Sequence, residues 1–168
     1  MTGHALTTEG TQGALPMATG SEMARYVLAT VGAMSQLKLQ KLLYYIDAWH
    51  LAFFDQPLFE ESFEAWLHGP VLRSVWGEYR DVSVLYNEIA PSSDNIINEL
   101  AGKLSVEQLE VISDVLAEYG DKTAYHLECL THAEAPWIEA RKCVPEGAAS
   151  TAAINKETTM HFYQARLA

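Results

Sequence analysis

The stretch 35–55 constrains this chain more than any other. Leu39, Leu42, Leu43, Ile46, His50, Phe53 and Phe54 recur there at helical spacing, and Leu37, Tyr45, Ala48 and Ala52 widen the same face. A helix that is apolar around so much of its circumference needs neighbours on several sides. The pattern therefore predicts a long central helix, capped by Ser35 and ended at Gln56-Pro57, because proline cannot continue a helix. With 168 residues, 49% of them hydrophobic, the chain can bury a core without disulfide or metal staples. The fold class that follows is mainly α: a compact helical domain with a long central helix and a small β element.

The other elements are read around that helix. Residues 1–20, rich in Thr, Gly and Ala, lack periodicity and read as a flexible N-terminal arm, with a single domain over 21–168 that ends in a C-terminal helix. Ser21 is the expected cap of a first helix that Gly32 closes. Phe59, Phe63, Ala65 and Leu67 alternate with polar residues, which reads as a short strand within 58–67. Val82, Val84 and Tyr86 also alternate and are its expected partner. His68-Gly69-Pro70 reads as a turn, with Pro70 at the first position of a helix striped by Leu72, Val75, Trp76 and Tyr79. A helical turn is expected over 95–100. Ser105 and Gln108 have capping-box spacing ahead of a helix that Gly120 closes. Thr123 starts another helix to Leu130, with Thr131 breaking it, and Pro136 opens a short one. Residues 145–153 read as a small-residue linker before a last helix capped by Asn155.

Charge and motif content narrow the function. The net charge is −11, and the basic residues are scattered, so no phosphate-binding stripe forms and no nucleic-acid partner is expected. The longest apolar run is broken by Lys41, Asp47 and His50, so no membrane span is expected. With no secretory signal to read and only Cys129 and Cys143 as cysteines, the expected compartment is the reducing cytoplasm. His126, Cys129 and His132 have a three-residue spacing, but three ligands on an interrupted helix fall short of a structural zinc site. No metal and no cofactor are expected. Cys129 lacks a nucleophile motif, and no G-x-S-x-G elbow, Walker loop or dinucleotide fingerprint is present, so the chain does not read as an enzyme. His50, on the apolar face, reads as a buried histidine with an internal hydrogen bond rather than a switch. Trp66 is out of phase with Phe63, Ala65 and Leu67, which makes it either a core residue of a second sheet face or an exposed anchor. The partner-binding candidates are Trp66, His68, Tyr44 and Trp49, since aromatic residues dominate binding hot spots.

Several segments occur in a telling order: Lys41-Leu42-Leu43-Tyr44-Tyr45, then Trp49-His50-Leu51, then Phe63-Glu64-Ala65-Trp66-Leu67-His68-Gly69-Pro70-Val71, then Thr131-His132 and Pro136-Trp137. Over about 21–141 the chain resembles the SocA/GepA-like antitoxin domain, also called Panacea. The resemblance implies an antitoxin whose partner is a cognate protein toxin encoded nearby. For SocA-type members it also implies a proteolytic adaptor that delivers the toxin to the ClpXP protease. The motif residues Leu42, Tyr45, His50, Gly69, Pro70, His132, Pro136 and Trp137 are assigned to holding the fold. The arm and the terminal Leu167-Ala168 are the candidates for a protease-facing tether. Two alternatives stay open: a phage-associated structural or regulatory interaction module, and a small hydrolase using His50, His68 or His132.

Overall fold

Ser35 does start the central helix. In the computed structural model, which describes residues 13–167, its hydroxyl accepts from the Lys38 amide (3.2 Å), and α2 runs over Gln36–Phe54. Asp55 closes it in the left-handed region (φ 57°). Buried residues lie on every side of α2, Lys41, Asp47 and His50 among them, as expected for a helix with neighbours all round. Phe53, in the last turn, is exposed and tilts against Trp49.

The remaining helices wrap this one. α1 (Gly20–Val31), α5 (Val106–Tyr119), α6 (Ala124–His132) and α8 (Lys156–Gln164) all pack on α2. α3 (Arg73–Tyr79) and α4 (Ile96–Ala101) lean on α1, and α7 (Ala135–Ala140) joins α6 to α8. The fold is mainly α, with two small antiparallel pairs: β1 (Met34–Ser35) with β4 (Glu88–Ile89), and β2 (Glu64–Trp66) with β3 (Gly69–Val71). The caps are local. Ser105 and Gln108 form the expected capping box, and Thr123 and Asn155 accept from the amides three residues on.

Several boundaries differ from expectation. The first helix is capped by Thr19, whose side chain and Glu22 form a capping box, rather than by Ser21. The strand is confined to β2, and its partner is β3 rather than Val82, Val84 and Tyr86, which are exposed. Pro70 therefore sits in a strand, and α3 starts three residues later at Arg73. Proline is tolerated there because its cross-strand neighbour Ala65 sends its backbone groups elsewhere. The Ala65 amide donates to the Ala152 carbonyl (2.7 Å), and its carbonyl accepts from Arg141 Nη1 (2.8 Å). The Ile154 amide donates to the Phe63 carbonyl, so the end of the expected linker is a strand-like edge on the hairpin. Thr131 does not break α6. It is buried inside the helix, with its hydroxyl donating to the Glu128 carbonyl.

The expected arm 1–20 and the terminal Leu167-Ala168 fall partly outside the described residues. The described end of the arm is tied down: the Leu15 amide donates to Gln56 Oε1, Gln108 Nε2 donates to the Pro16 carbonyl, and the Ala18 amide donates to the Leu58 carbonyl. Ala18 itself is part of the core. Among the described residues, no helix is long and apolar enough to cross a membrane.

Candidate functional site

Three of the segments that stood out in the sequence meet around Lys41. Its side chain leaves α2 fully buried, and Nζ donates to the Pro70 carbonyl (3.2 Å). Gly69 lies directly against it with φ +107°, a conformation that suits glycine. A Cβ there would run into Lys41 Cε and come within 3.0 Å of Thr131 Oγ1. The pieces 41–45, 63–71 and 131–137 thus meet at one place, and the glycine is required by close approach as well as by the turn. Burial drives the Lys41 pKa from its ordinary value down to about 7, against the pull of Glu128, which raises it.

A hollow of about 460 Å³ opens above this lysine. Gln36, Leu37, Gln40 and Lys41 form its α2 side. The hairpin contributes Trp66, Leu67, His68 and Val71, α3 contributes Arg73 and Trp76, and Val84, Leu85 and residues 149–151 complete it. Its lining is mostly apolar. The Gln36 and Gln40 amides are occupied: Gln36 Nε2 donates to the Ser83 carbonyl, and Gln40 holds the Leu72 amide through Oε1. Trp66 is half-buried on the wall, tilted against Trp76 with ring centroids 5.2 Å apart. The Arg73 guanidinium lies over its ring and forms a two-bond pair with Glu64 (2.8 and 2.9 Å). His68 Nδ1 pairs with Glu128 Oε1 (2.7 Å) at the edge. A second depression, of about 540 Å³, lies near Met17, Phe59 and Lys103 and contains none of the motif residues that surround Lys41.

Behind the hairpin, His132 stacks on Trp137 (4.0 Å), and Trp137 Nε1 donates to the Trp66 carbonyl (2.9 Å). Burial lowers the His132 pKa, and among the described residues its Nε2 has no hydrogen-bond partner. Pro136 is buried at the start of α7. One turn beyond Lys41, the Tyr45 hydroxyl donates to Glu134 (2.5 Å), and the Tyr163 hydroxyl from α8 donates to the same carboxylate. Burial raises the Glu134 pKa, while these two donors hold it down.

The sequence candidates fall into two groups. Trp66 and His68 line the hollow. Tyr44 does not face a partner: it is 2% exposed, its ring packed against Tyr45, Phe63 and Tyr163, because α2 is covered on that side by the hairpin edge and α8. Trp49 is half-buried away from the hollow, with Nε1 donating to the Tyr119 hydroxyl (3.1 Å). Leu42 is in the core. His50 is buried, its Nδ1 on the Gln56 carbonyl (2.6 Å) and its Nε2 on Gln108 Nε2 (2.9 Å), and burial lowers its pKa. Of the three histidines weighed for hydrolysis, His68 and His132 flank Glu128, and His50 has other partners altogether. His126 and Cys129 are exposed, whereas His132 turns inward to Trp137. Among the described residues, no three His, Cys, Asp or Glu side chains are grouped to hold a metal ion. In the sequence Lys41 is visible as a charge interrupting an apolar run and as the start of the Lys41-Leu42-Leu43-Tyr44-Tyr45 segment. That interruption, a lysine on a helix apolar nearly all round, was the available signal. Glu128, Glu134 and Tyr163 carried no signal of their own.

Comparison with known proteins gives one match. The family model for the antitoxin SocA-like, Panacea domain matches residues 39–138, from the first turns of α2 to α7. No curated protein and no solved structure matches the chain. The matched stretch holds Lys41, the hairpin and the His132–Trp137 pair; α1 and α8 lie outside it.

Proposed function

We propose that this chain, which belongs to the antitoxin SocA-like, Panacea domain family, neutralises a protein toxin by direct contact at the hollow beside Trp66. The observation that carries this reading is the hollow itself. Trp66, Leu67, His68 and Val71, from the hairpin inside the matched stretch, line an apolar, aromatic-walled cavity. Cavities of this size and lining, with a few placed polar groups, are where proteins hold ligands and anchor side chains. The chain is read as a binder rather than a catalyst, because His68 is engaged with Glu128 and sits beside apolar walls, and among the described residues it orients no nucleophile. The partner is a toxin encoded nearby. Delivery of that toxin to ClpXP is the finer form of the proposal: an adaptor raises the concentration of substrate at the protease, so modest affinity at two faces suffices.

The test is co-expression with the adjacent open reading frame, read as growth rescue and co-purification. Wild type is expected to give both, and Trp66→Ala neither, at an unchanged far-ultraviolet circular dichroism spectrum. Rescue by Trp66→Ala at wild-type level would place the toxin elsewhere on the surface. Delivery is tested separately by toxin half-life in cells with and without ClpX. An unchanged half-life would leave neutralisation to binding alone.

A further inference from the structure

We propose that His50 is a proton-sensitive lock on the N-terminal strap, residues 15–18: the strap stays seated while the imidazole is neutral and lets go when the ring takes a proton. Met17 and Ala18 wall the depression of about 540 Å³ beside Phe59 and Lys103, so release takes away one side of it.

Two glutamines hold the strap, and His50 joins them. Gln56 Oε1 accepts from the Leu15 amide (2.8 Å), and Gln108 Nε2 donates to the Pro16 carbonyl (2.7 Å). The buried His50 ring connects the two residues, its Nδ1 2.6 Å from the Gln56 carbonyl and its Nε2 2.9 Å from Gln108 Nε2. These groups admit one arrangement of protons. The Ser105 amide can only donate, so the Gln108 atom that faces it at 2.9 Å is the oxygen. The Gln108 amino group then spends one hydrogen on the Pro16 carbonyl and the other on His50. Nε2 must therefore accept, and the ring proton sits on Nδ1 and is donated to the Gln56 carbonyl. A second ring proton would set N–H against N–H at Nε2. Turning the Gln108 amide over gives no relief while the strap is seated: the amino group would meet the Ser105 amide, and the oxygen would meet the Pro16 carbonyl. Release of Pro16 removes that second clash, so the Gln108 oxygen can turn to the charged ring. The charge that acts on the ring is Asp47, one turn back on α2; its oxygens are already on the Leu58 and Phe59 amides and on Lys156. Gln108 and the Gln56 carbonyl, which face the ring from α5 and from the segment after α2, are uncharged. Burial holds the His50 pKa below its ordinary 6.5, in keeping with a site made for the neutral ring.

The test is amide hydrogen exchange of the full chain, corrected for intrinsic rates, with the His50 ring followed by NMR. The released imidazole binds a proton more readily than the locked one, so release should grow as pH falls below 6.5, by at most about tenfold per pH unit for one proton. Protection of the Leu15 and Ala18 amides is therefore expected to fall between about pH 7 and about pH 5, while the amides of α8 keep theirs. Protection at Leu15 and Ala18 that stays flat over this range, or that is lost together with α8, would overturn the proposal. Gln108→Glu gives a second reading, because glutamate also completes a capping box and α5 keeps its cap. Its second oxygen faces the Pro16 carbonyl and favours a proton on Nε2. The strap amides should then lose protection at about pH 7.5, and the His50 ring should titrate at higher pH than in wild type. Strap amides protected as in wild type, or a ring whose titration does not move, would contradict the lock. If Gln108→Glu does not fold, the wild-type pH series decides alone.

Discussion

Lys41 and Tyr45 leave the same helix one turn apart, and both bury a polar head group, yet their surroundings are opposite. Around Tyr45 the network is closed. Glu134 receives the hydroxyls of Tyr45 and Tyr163, and Tyr45 stacks on Tyr119 at 4.0 Å, so the junction of α2, α7 and α8 is filled. Around Lys41 the network is open. One donor meets the Pro70 carbonyl, and about 460 Å³ of space adjoins it. A satisfied buried network serves cohesion, while an under-satisfied one costs stability. The difference teaches that two positions one turn apart on the same helix can be buried in different ways, Tyr45 in a closed network and Lys41 on a single hydrogen bond.

Substitutions at the two places should therefore act in opposite directions. The largest effect is expected from Glu134→Ala, which strands two buried hydroxyls and should lower stability by about 2–6 kcal/mol, measured by urea denaturation. Lys41→Met should raise stability, by about 1–4 kcal/mol, because a buried charge is exchanged for an apolar side chain of similar length. If Lys41→Met is destabilising, the lysine is a brace for Pro70 and the contrast collapses. Trp66→Ala should cost about 1–2 kcal/mol, because the half-buried ring loses its contact with Trp76, with a far larger relative loss of partner affinity. Tyr163→Phe should cost least, about 0.5–1.5 kcal/mol, since Glu134 keeps the Tyr45 donor and no group is stranded; it should leave partner affinity unchanged.

Titration sharpens the same contrast, with opposite signs. Folding lowers the Lys41 pKa from 10.5 to about 7. Between those values the unfolded chain binds more protons, so this residue makes stability rise with pH from about 7 toward 10. Folding raises the Glu134 pKa above 4.5. There the folded chain binds more protons, so this residue makes stability fall as pH climbs from 4.5 to the raised value. Difference curves of stability against pH, wild type minus Lys41→Met and wild type minus Glu134→Gln, should slope in these two directions. Flat difference curves would mean that neither group is held as described.

Legibility in the sequence followed the range of the interactions. The caps at Ser35, Ser105, Thr123 and Asn155 were readable because each bond spans three residues, and α2 because its apolar circumference admits few alternatives. The first cap was misread by two positions, since Ser21 and Thr19 both have suitable side chains and only Thr19 has Glu22 three residues on. The role of Pro70 was not readable. Whether Gly69-Pro70 begins a helix or pairs with Ala65-Trp66 depends on Lys41, Arg141 and the 152–154 edge, all distant in sequence. The described end of the arm was missed because its ties to Gln56, Leu58 and Gln108 use backbone groups and leave no hydrophobic period. Of the site, the off-phase placement of Trp66 and the turn at His68 were visible. The convergence on Lys41 was not, because it requires the hairpin and α6 to be folded against α2. Tyr44 was misassigned for the same reason, being covered by elements remote from it.

The central claim, that the hollow between the hairpin, α3 and the start of α2 is the partner-facing surface, is tested most directly by amide hydrogen exchange of the chain alone and bound to the protein that co-purifies from the adjacent reading frame. The predicted result is new protection over residues 64–76 and 149–151, with exchange at α7 and α8, around Glu134 and Tyr163, unchanged. Protection confined to α7 and α8, with 64–76 exchanging as in the free chain, would contradict it.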